Sequence, residues 1–185
     1  MGVIIKLFLK FWYLSRLDDQ LWALARDVTW RESLLWLLFG AFFSSAGRML
    51  QAGYLFKPLR FFGELVTTYC EYCVAWGVIA ALAWVLARLI GGQGGYGATT
   101  RAIALAFGMR AWGFFVFVPI PLFSRKLLDL AFLAIFVLAG GRAVETSQQL
   151  TQGRALVVFA LALLSMGIVG LGLNVLTATF WPFPS

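Results

Sequence analysis

Residues 155–180 read ALVVFALALLSMGIVGLGLNVLTATF, a run without one charged side chain. About 20 consecutive apolar residues of helix are enough to cross the hydrocarbon core of a bilayer. The stretch therefore predicts a transmembrane helix, and it sets the medium in which every other motif has to be read.

Working outward, four more segments have the same character. They run from about Ser33 to Tyr54, with Arg48 inside; from Glu64 to Leu89; from Ala98 to Ile120, with Arg110 inside; and from Leu127 to Gly141, the shortest. The whole chain of 185 residues is 62% hydrophobic and 12% charged, against about 45–50% and about 25% in soluble domains. A water-soluble core of this size cannot hide that much apolar surface. The expected fold is all-α, a polytopic transmembrane helix bundle of about five spans preceded by short interfacial amphipathic helices. Residues 1–32 form the cytoplasmic and interfacial segment, 33–180 the bundle, and 181–185 a short outer tail.

The N-terminal segment is apolar over residues 3–14 except for Lys6 and Lys10. Those lysines lie four apart, on one helical face, which suits a helix at the membrane surface with snorkelling lysines. They also interrupt the apolar run that a secretory leader would need. Leu17, Leu21, Leu24, Ala25 and Val28 then recur at helical spacing and predict a second short amphipathic helix. Ser15 followed by Asp18 resembles an incomplete capping box before it.

Charge sets the expected orientation. With five spans, nine Lys and Arg residues fall on the N-terminal side (Lys6, Lys10, Arg16, Arg26, Arg31, Arg88, Arg101, Arg142 and Arg154) and five on the other (Arg48, Lys57, Arg60, Arg125 and Lys126). The positive-inside rule places the N-terminus in the cytoplasm and the C-terminus outside. The net charge of +7 is spread between apolar runs without a basic cluster, so it points to lipid contact and not to nucleic acid.

Chemistry is sparse. The chain has no histidine, which removes the commonest general base and metal ligand. No carboxylate pair, Ser/His/Asp set or four-ligand cluster is present. The expectation is a protein without enzymatic activity, cofactor, metal or identifiable small-molecule substrate. Gly92-Gln93-Gly94-Gly95-Tyr96-Gly97 is a formal G-x-G-x-x-G, but a membrane helix and not a strand precedes it. A flexible cytoplasmic turn is expected there.

Two charges sit deep in the predicted spans: Glu71 in the second and Arg110 in the third. Intramembrane ionisable residues face the bundle interior and pair. Arg110 therefore either pairs with Glu71 or lines a polar cavity, while Arg48 snorkels outward near Lys57. Small residues recur at packing spacing: Gly40, Ser44 and Gly47 in the first span, Ala131, Ala134 and Gly141 in the fourth, and Gly167, Gly170 and Asn174 in the fifth. Close helix contact in lipid uses such stripes. Cys70 and Cys73, the only cysteines, match C-x-x-C within "YCEYC". They stand inside a span, away from a helix start that would lower a thiol pKa. Continued by Gly77, Ala80 and Ala81, they read as the outer end of another packing face.

The glycine loop after the second span, "GGQGGYGATTRAIALAFG" (91–108), and "GRAVETSQQLTQGRALVV" (141–158) before the fifth resemble segments of prokaryotic members of the Yip family. The resemblance covers about residues 60–178. It implies five spans, a cytoplasmic N-terminus, a prokaryotic inner membrane and a non-enzymatic role. Eukaryotic members interact with prenylated Rab GTPases. They carry a long N-terminal region with a DLYGP-type motif that is missing here, so Rab binding is not carried over.

Two functions compete on this basis. One is an interaction or scaffold protein that binds membrane lipids and other integral membrane proteins as a subunit of a membrane complex. The other is a transporter or channel component with a polar path around Arg110 and Glu71. A thiol- or quinone-linked redox subunit rests on the C-x-x-C alone. Replacing Cys70 and Cys73 together by Ala is expected to leave assembly intact, and Glu71→Leu to disturb it. Size-exclusion profiles in mild detergent check both; loss of the monodisperse species in the double cysteine variant would return a role to the sulfurs.

Overall fold

The computed structural model describes residues 10–12, 14, 16, 22, 27–54, 56–116 and 125–180, without the side chains of 115, 116, 125 and 169–180. Its long elements are α1 (Trp30–Gln51), α2 (Pro58–Leu89), α3 (Tyr96–Met109) continued by a 3₁₀ segment (Arg110–Val116), α4 (Arg125–Gln148) and α5 (Gln152–Phe180). Among the described residues there is no strand. Among the described residues, three helices are long and apolar enough to cross a membrane: α1, α2 and residues 126–148 of α4.

The element starts follow local chemistry. Thr29 caps α1: its hydroxyl accepts from the Glu32 amide at 3.2 Å, and the Glu32 carboxylate accepts from the Thr29 amide at 3.2 Å. This reciprocal box satisfies two of the amides that every helix start leaves open. It lies at Thr29-x-x-Glu32, three residues before the expected start of the first span. Ser15 and Asp18, where an incomplete box was expected, lie outside the described residues. Pro58 opens α2, a position where its missing N–H costs nothing. Between them the chain turns at Gly53, whose φ of +69° suits a residue without a Cβ.

Contacts fix the directions. Ser45 meets Thr68 and Ser44 meets Tyr72, so α1 and α2 are antiparallel. Trp76 donates its indole N–H to the Thr100 carbonyl at 2.6 Å, and Tyr72 packs edge-on against Phe107, so α3 reverses again. Phe107 against Phe136 and Phe136 against Phe159 continue the alternation through α4 and α5.

The centre of the bundle is α3. Its residues from Ala102 to Met109 are all buried, because α1, α2 and α4 surround it. A helix apolar all round belongs in an interior. Glycines allow this crowding. A Cβ on Gly40 would stand 2.5 Å from the Phe107 carbonyl oxygen, and one on Gly108 would run into the Trp36 ring. On the far side, Gly140 makes room for the Phe159 ring, and a Cβ on Gly141 would stand 2.9 Å from Leu156.

Several expectations change. The third segment is not one α-helix to Ile120: the α-helix ends at Met109 and tightens into the 3₁₀ segment, and residues 117–124 lie outside the described residues. The fourth segment, expected to be short, is a helix of 24 residues. In the N-terminal segment, expected at the membrane surface, Phe11 packs on Phe39 and Trp112, Lys10 Nζ pairs with Glu32 at 2.8 Å, and buried Trp22 donates to the Leu14 carbonyl within the segment itself. Lys6 lies outside the described residues.

The packing faces are also partly redrawn. A Cβ on Gly77 or Gly167 meets nothing within 4 Å, and Ala131 and Ala134 are exposed. In lipid the outward surface is as apolar as the inward one, so a small-residue period does not reveal which way it points. The surroundings of Gly170 and of the Asn174 side chain lie outside what the structure describes. Gly40 and Gly47 are buried as expected. Gly40→Ala is expected to cost about 1–3 kcal/mol through overpacking against backbone, whereas Gly77→Ala is tolerated. Thermal unfolding in detergent measures both; equal transitions for the two variants would refute the α1–α3 contact.

Candidate functional site

The Tyr72 and Phe136 rings stand on either side of α3 and hold Phe107 edge-on, with centroids 5.6 and 5.4 Å away. Arg110 follows three residues later on the same face. Its guanidinium carbon lies 5.5 Å from the Tyr72 ring centre and 5.4 Å from that of Phe136. The same two rings therefore contact both Phe107 and a cation. Attraction between a cation and a ring face strengthens where water is excluded.

Above this clamp is a cavity of about 300 Å³. Ser44 and Arg48 reach it from α1, Glu71 and Tyr72 from α2, Arg110 from the 3₁₀ segment and Asp129 from α4. The Tyr72 hydroxyl and the Ser44 hydroxyl are 2.6 Å apart, which fixes the ring. A second, wider and mostly apolar groove of about 860 Å³ runs between α2 and α5. The two share Glu71, Tyr72, Arg110 and Phe136 as a common wall.

The expected Glu71–Arg110 ion pair is not formed; the two residues line one cavity instead. Tyr72 is the α2 residue that faces α3, and it takes the guanidinium on its ring. Glu71, one position earlier, is turned about 100° away. Among the described residues, Glu71, Arg110 and Asp129 form no ion pair. The assembly defect expected of Glu71→Leu therefore has no contact behind it.

Arg48 does not snorkel free. Its Nε lies 2.9 Å from Glu64 Oε1, and the guanidinium also donates to the Thr68 hydroxyl, which donates in turn to the Glu64 carbonyl at 2.7 Å. Ser45 joins by donating to Thr68 at 3.0 Å. This α1–α2 network was not anticipated. Its signal was present: Arg48 and Glu64 lie nearly equidistant from the turn at Gly53–Lys57, so an antiparallel pair of helices brings them level. At that turn the Tyr54 ring takes Lys57 and Arg60 on its face.

The cysteines behave as small apolar side chains. Cys73 packs against the core, and Cys70 lies at the wall of the apolar groove. Both are free thiols.

The glycine loop is not a flexible turn. Gln148, fully buried at the end of α4, donates its side-chain amide to the Gly94 carbonyl at 3.1 Å and to the Thr99 hydroxyl. Its own carbonyl accepts the Gln93 amide at 3.0 Å. A Cβ on Gly94 would collide with the Ser147 carbonyl, and one on Gly92 would stand 2.8 Å from Gln148 Oε1. The glycines permit close packing of loop on helix, with no strand before them.

Among the described residues no three His, Cys, Asp or Glu side chains are placed to hold a metal ion. Comparison with protein-family models, with curated proteins and with solved structures returns no match.

Arg48→Ala and Glu64→Ala are each expected to lower thermal stability, with the double variant falling short of their sum by up to about 1 kcal/mol. Strict additivity in that cycle would mean the pair contributes nothing.

Proposed function

We propose that this chain is a multi-span integral membrane protein without enzymatic activity, which binds other membrane components as an interaction or scaffold subunit. The observation that carries this reading is the apolar exterior. Val66, Val74, Val78 and Val85 on α2, Leu130 and Leu133 on α4, and Leu161, Leu164 and Ile168 on α5 are all exposed. Surfaces of that extent are covered by lipid or by other proteins. Taking α3 with its 3₁₀ extension and α5 as further spans gives five alternating segments, with the N-terminus cytoplasmic and the C-terminus outside. The resemblance to the Yip family, with its prokaryotic inner-membrane members, supports the same topology. Intramembrane charge that is not spent on the fold marks a functional site, and the cavity at Arg110 is where binding would act.

A transporter component is the second reading, favoured by the gathering of Arg110, Glu71 and Asp129 around one cavity. The buried run Ile103–Met109 below Arg110 closes that cavity inward, which counts against a continuous path. Substrate flux in proteoliposomes that disappears in Arg110→Ala would promote this reading.

The binding role is tested in the native membrane. Photo-crosslinking residues placed at Val74, Val85 and Leu164 are expected to give a discrete protein adduct from at least one face. Resistance to alkaline carbonate extraction checks membrane integration. Extraction by carbonate, or labelling of lipid alone at every position, would overturn the proposal of a protein-binding subunit.

A further inference from the structure

The cavity and the apolar groove meet along one wall, and together they have the anatomy of an amphiphile site. We propose that this site binds a phospholipid whose head carries both a phosphate and a primary ammonium, a phosphoethanolamine lipid. The inference rests on the membrane-integral binding role proposed above and names its ligand.

Charge selects the occupant. Arg48 is neutralised by Glu64. That leaves one cation, Arg110, and two carboxylates, Glu71 and Asp129, around the cavity with no ion pair among the described residues. A guanidinium fork is the side chain best matched to a phosphate. The carboxylates accept hydrogen bonds, and a primary ammonium has three to donate. A purely anionic head would satisfy Arg110 and face two carboxylates unaided. A quaternary ammonium would bring the right charge without a donor. The phosphoethanolamine head alone of these three answers both signs with hydrogen bonds.

Shape agrees. About 300 Å³ is at the small end of ligand sites, enough for a head group and not for its chains. The chains have the neighbouring groove, walled by Val66, Val74 and Ala75 of α2 and by Leu163 and Met166 of α5. Arg110 lies at the junction, where the phosphate joins head to glycerol. The Tyr72 and Phe136 rings hold its guanidinium there before any lipid arrives, so little ordering is left for binding to supply.

The full chain is reconstituted in nanodiscs of equimolar phosphatidylethanolamine, phosphatidylcholine and phosphatidylglycerol, and the retained lipid is identified by native mass spectrometry. The expected result is about tenfold enrichment of phosphatidylethanolamine, the effect of one or two charge-assisted hydrogen bonds. Arg110→Gln and the milder Asp129→Asn are each expected to reduce it, with thermal transitions confirming that both variants fold. A second measurement uses unaltered cavity charges. With Cys73→Ala leaving Cys70 as the only thiol, maleimide labelling of Cys70 at the groove wall is slower in phosphatidylethanolamine than in phosphatidylglycerol discs. Equal retention of the three lipids, preference for either of the other two, or equal labelling rates overturns the lipid assignment. A protein that integrates and crosslinks a partner yet shows no lipid preference defeats only this inference. One extracted by carbonate defeats the binding role itself.

Discussion

Two backbones pass at Gly40 and Phe107 with no room for a single methyl group between them, and much of the bundle is arranged around that approach. In lipid the hydrophobic effect does not push helices together, so close packing and internal hydrogen bonds have to do so. With α1 seated on the Phe107 carbonyl, the Trp36 ring lies over Gly108. Phe107 itself is turned toward α2 and α4, where the Tyr72 and Phe136 rings enclose it. The position of α3 along α1 therefore also sets where the next residue on the Phe107 face falls, and that residue is Arg110.

This links packing to the site through one turn of chain. Met109 is buried and Arg110 exposed; between them the α-helix gives way to 3₁₀. Turns of 3₁₀ helix are common at α-helix ends, and this one is unusual for its length of 7 residues. Here it begins at the residue whose charge the apolar interior could not accommodate. The rings that pack on Phe107 also lie 5.4–5.5 Å from the guanidinium carbon, so the same two side chains complete the core and position the cation.

How much of this was legible in the residues differs by element. The helical class and the long apolar helices follow from uninterrupted apolar runs, and the rarity of charge within those runs singles out Glu71 and Arg110, which line one cavity. The rotation of each helix does not follow, because a valine facing lipid and a valine facing α3 are the same valine. Gly77 and Gly167 thus looked like packing positions and are open, while Gly108 and Gly140, where a Cβ would run into the Trp36 and Phe159 rings, had no distinguishing period. The loop at Gly92–Gly97 was misjudged for a related reason: two of its glycines, Gly92 and Gly94, make room for Ser147 and Gln148, residues about fifty positions away. The capping box at Thr29 and the level placement of Arg48 and Glu64 were in plain view, and each needed only the helix start or the turn to be located correctly.

The charges divide into two kinds, and the division carries the functional argument. Lys10 with Glu32, Arg48 with Glu64 and Arg142 with Glu145 are paired at 2.8–2.9 Å: the first holds the start of α1, the second joins α1 to α2, and the third lies within α4. Among the described residues Arg110, Glu71 and Asp129 form no ion pair, although a direct Arg110–Glu71 contact would have been the cheaper arrangement in an apolar medium. A fold that keeps one cation and two anions apart around a cavity, with an apolar groove at its side, leaves their neutralisation to something else. A molecule that carries the opposite charges at its head and hydrocarbon at its tail meets both requirements at once, and the bilayer surrounding such a protein is made of molecules of that kind.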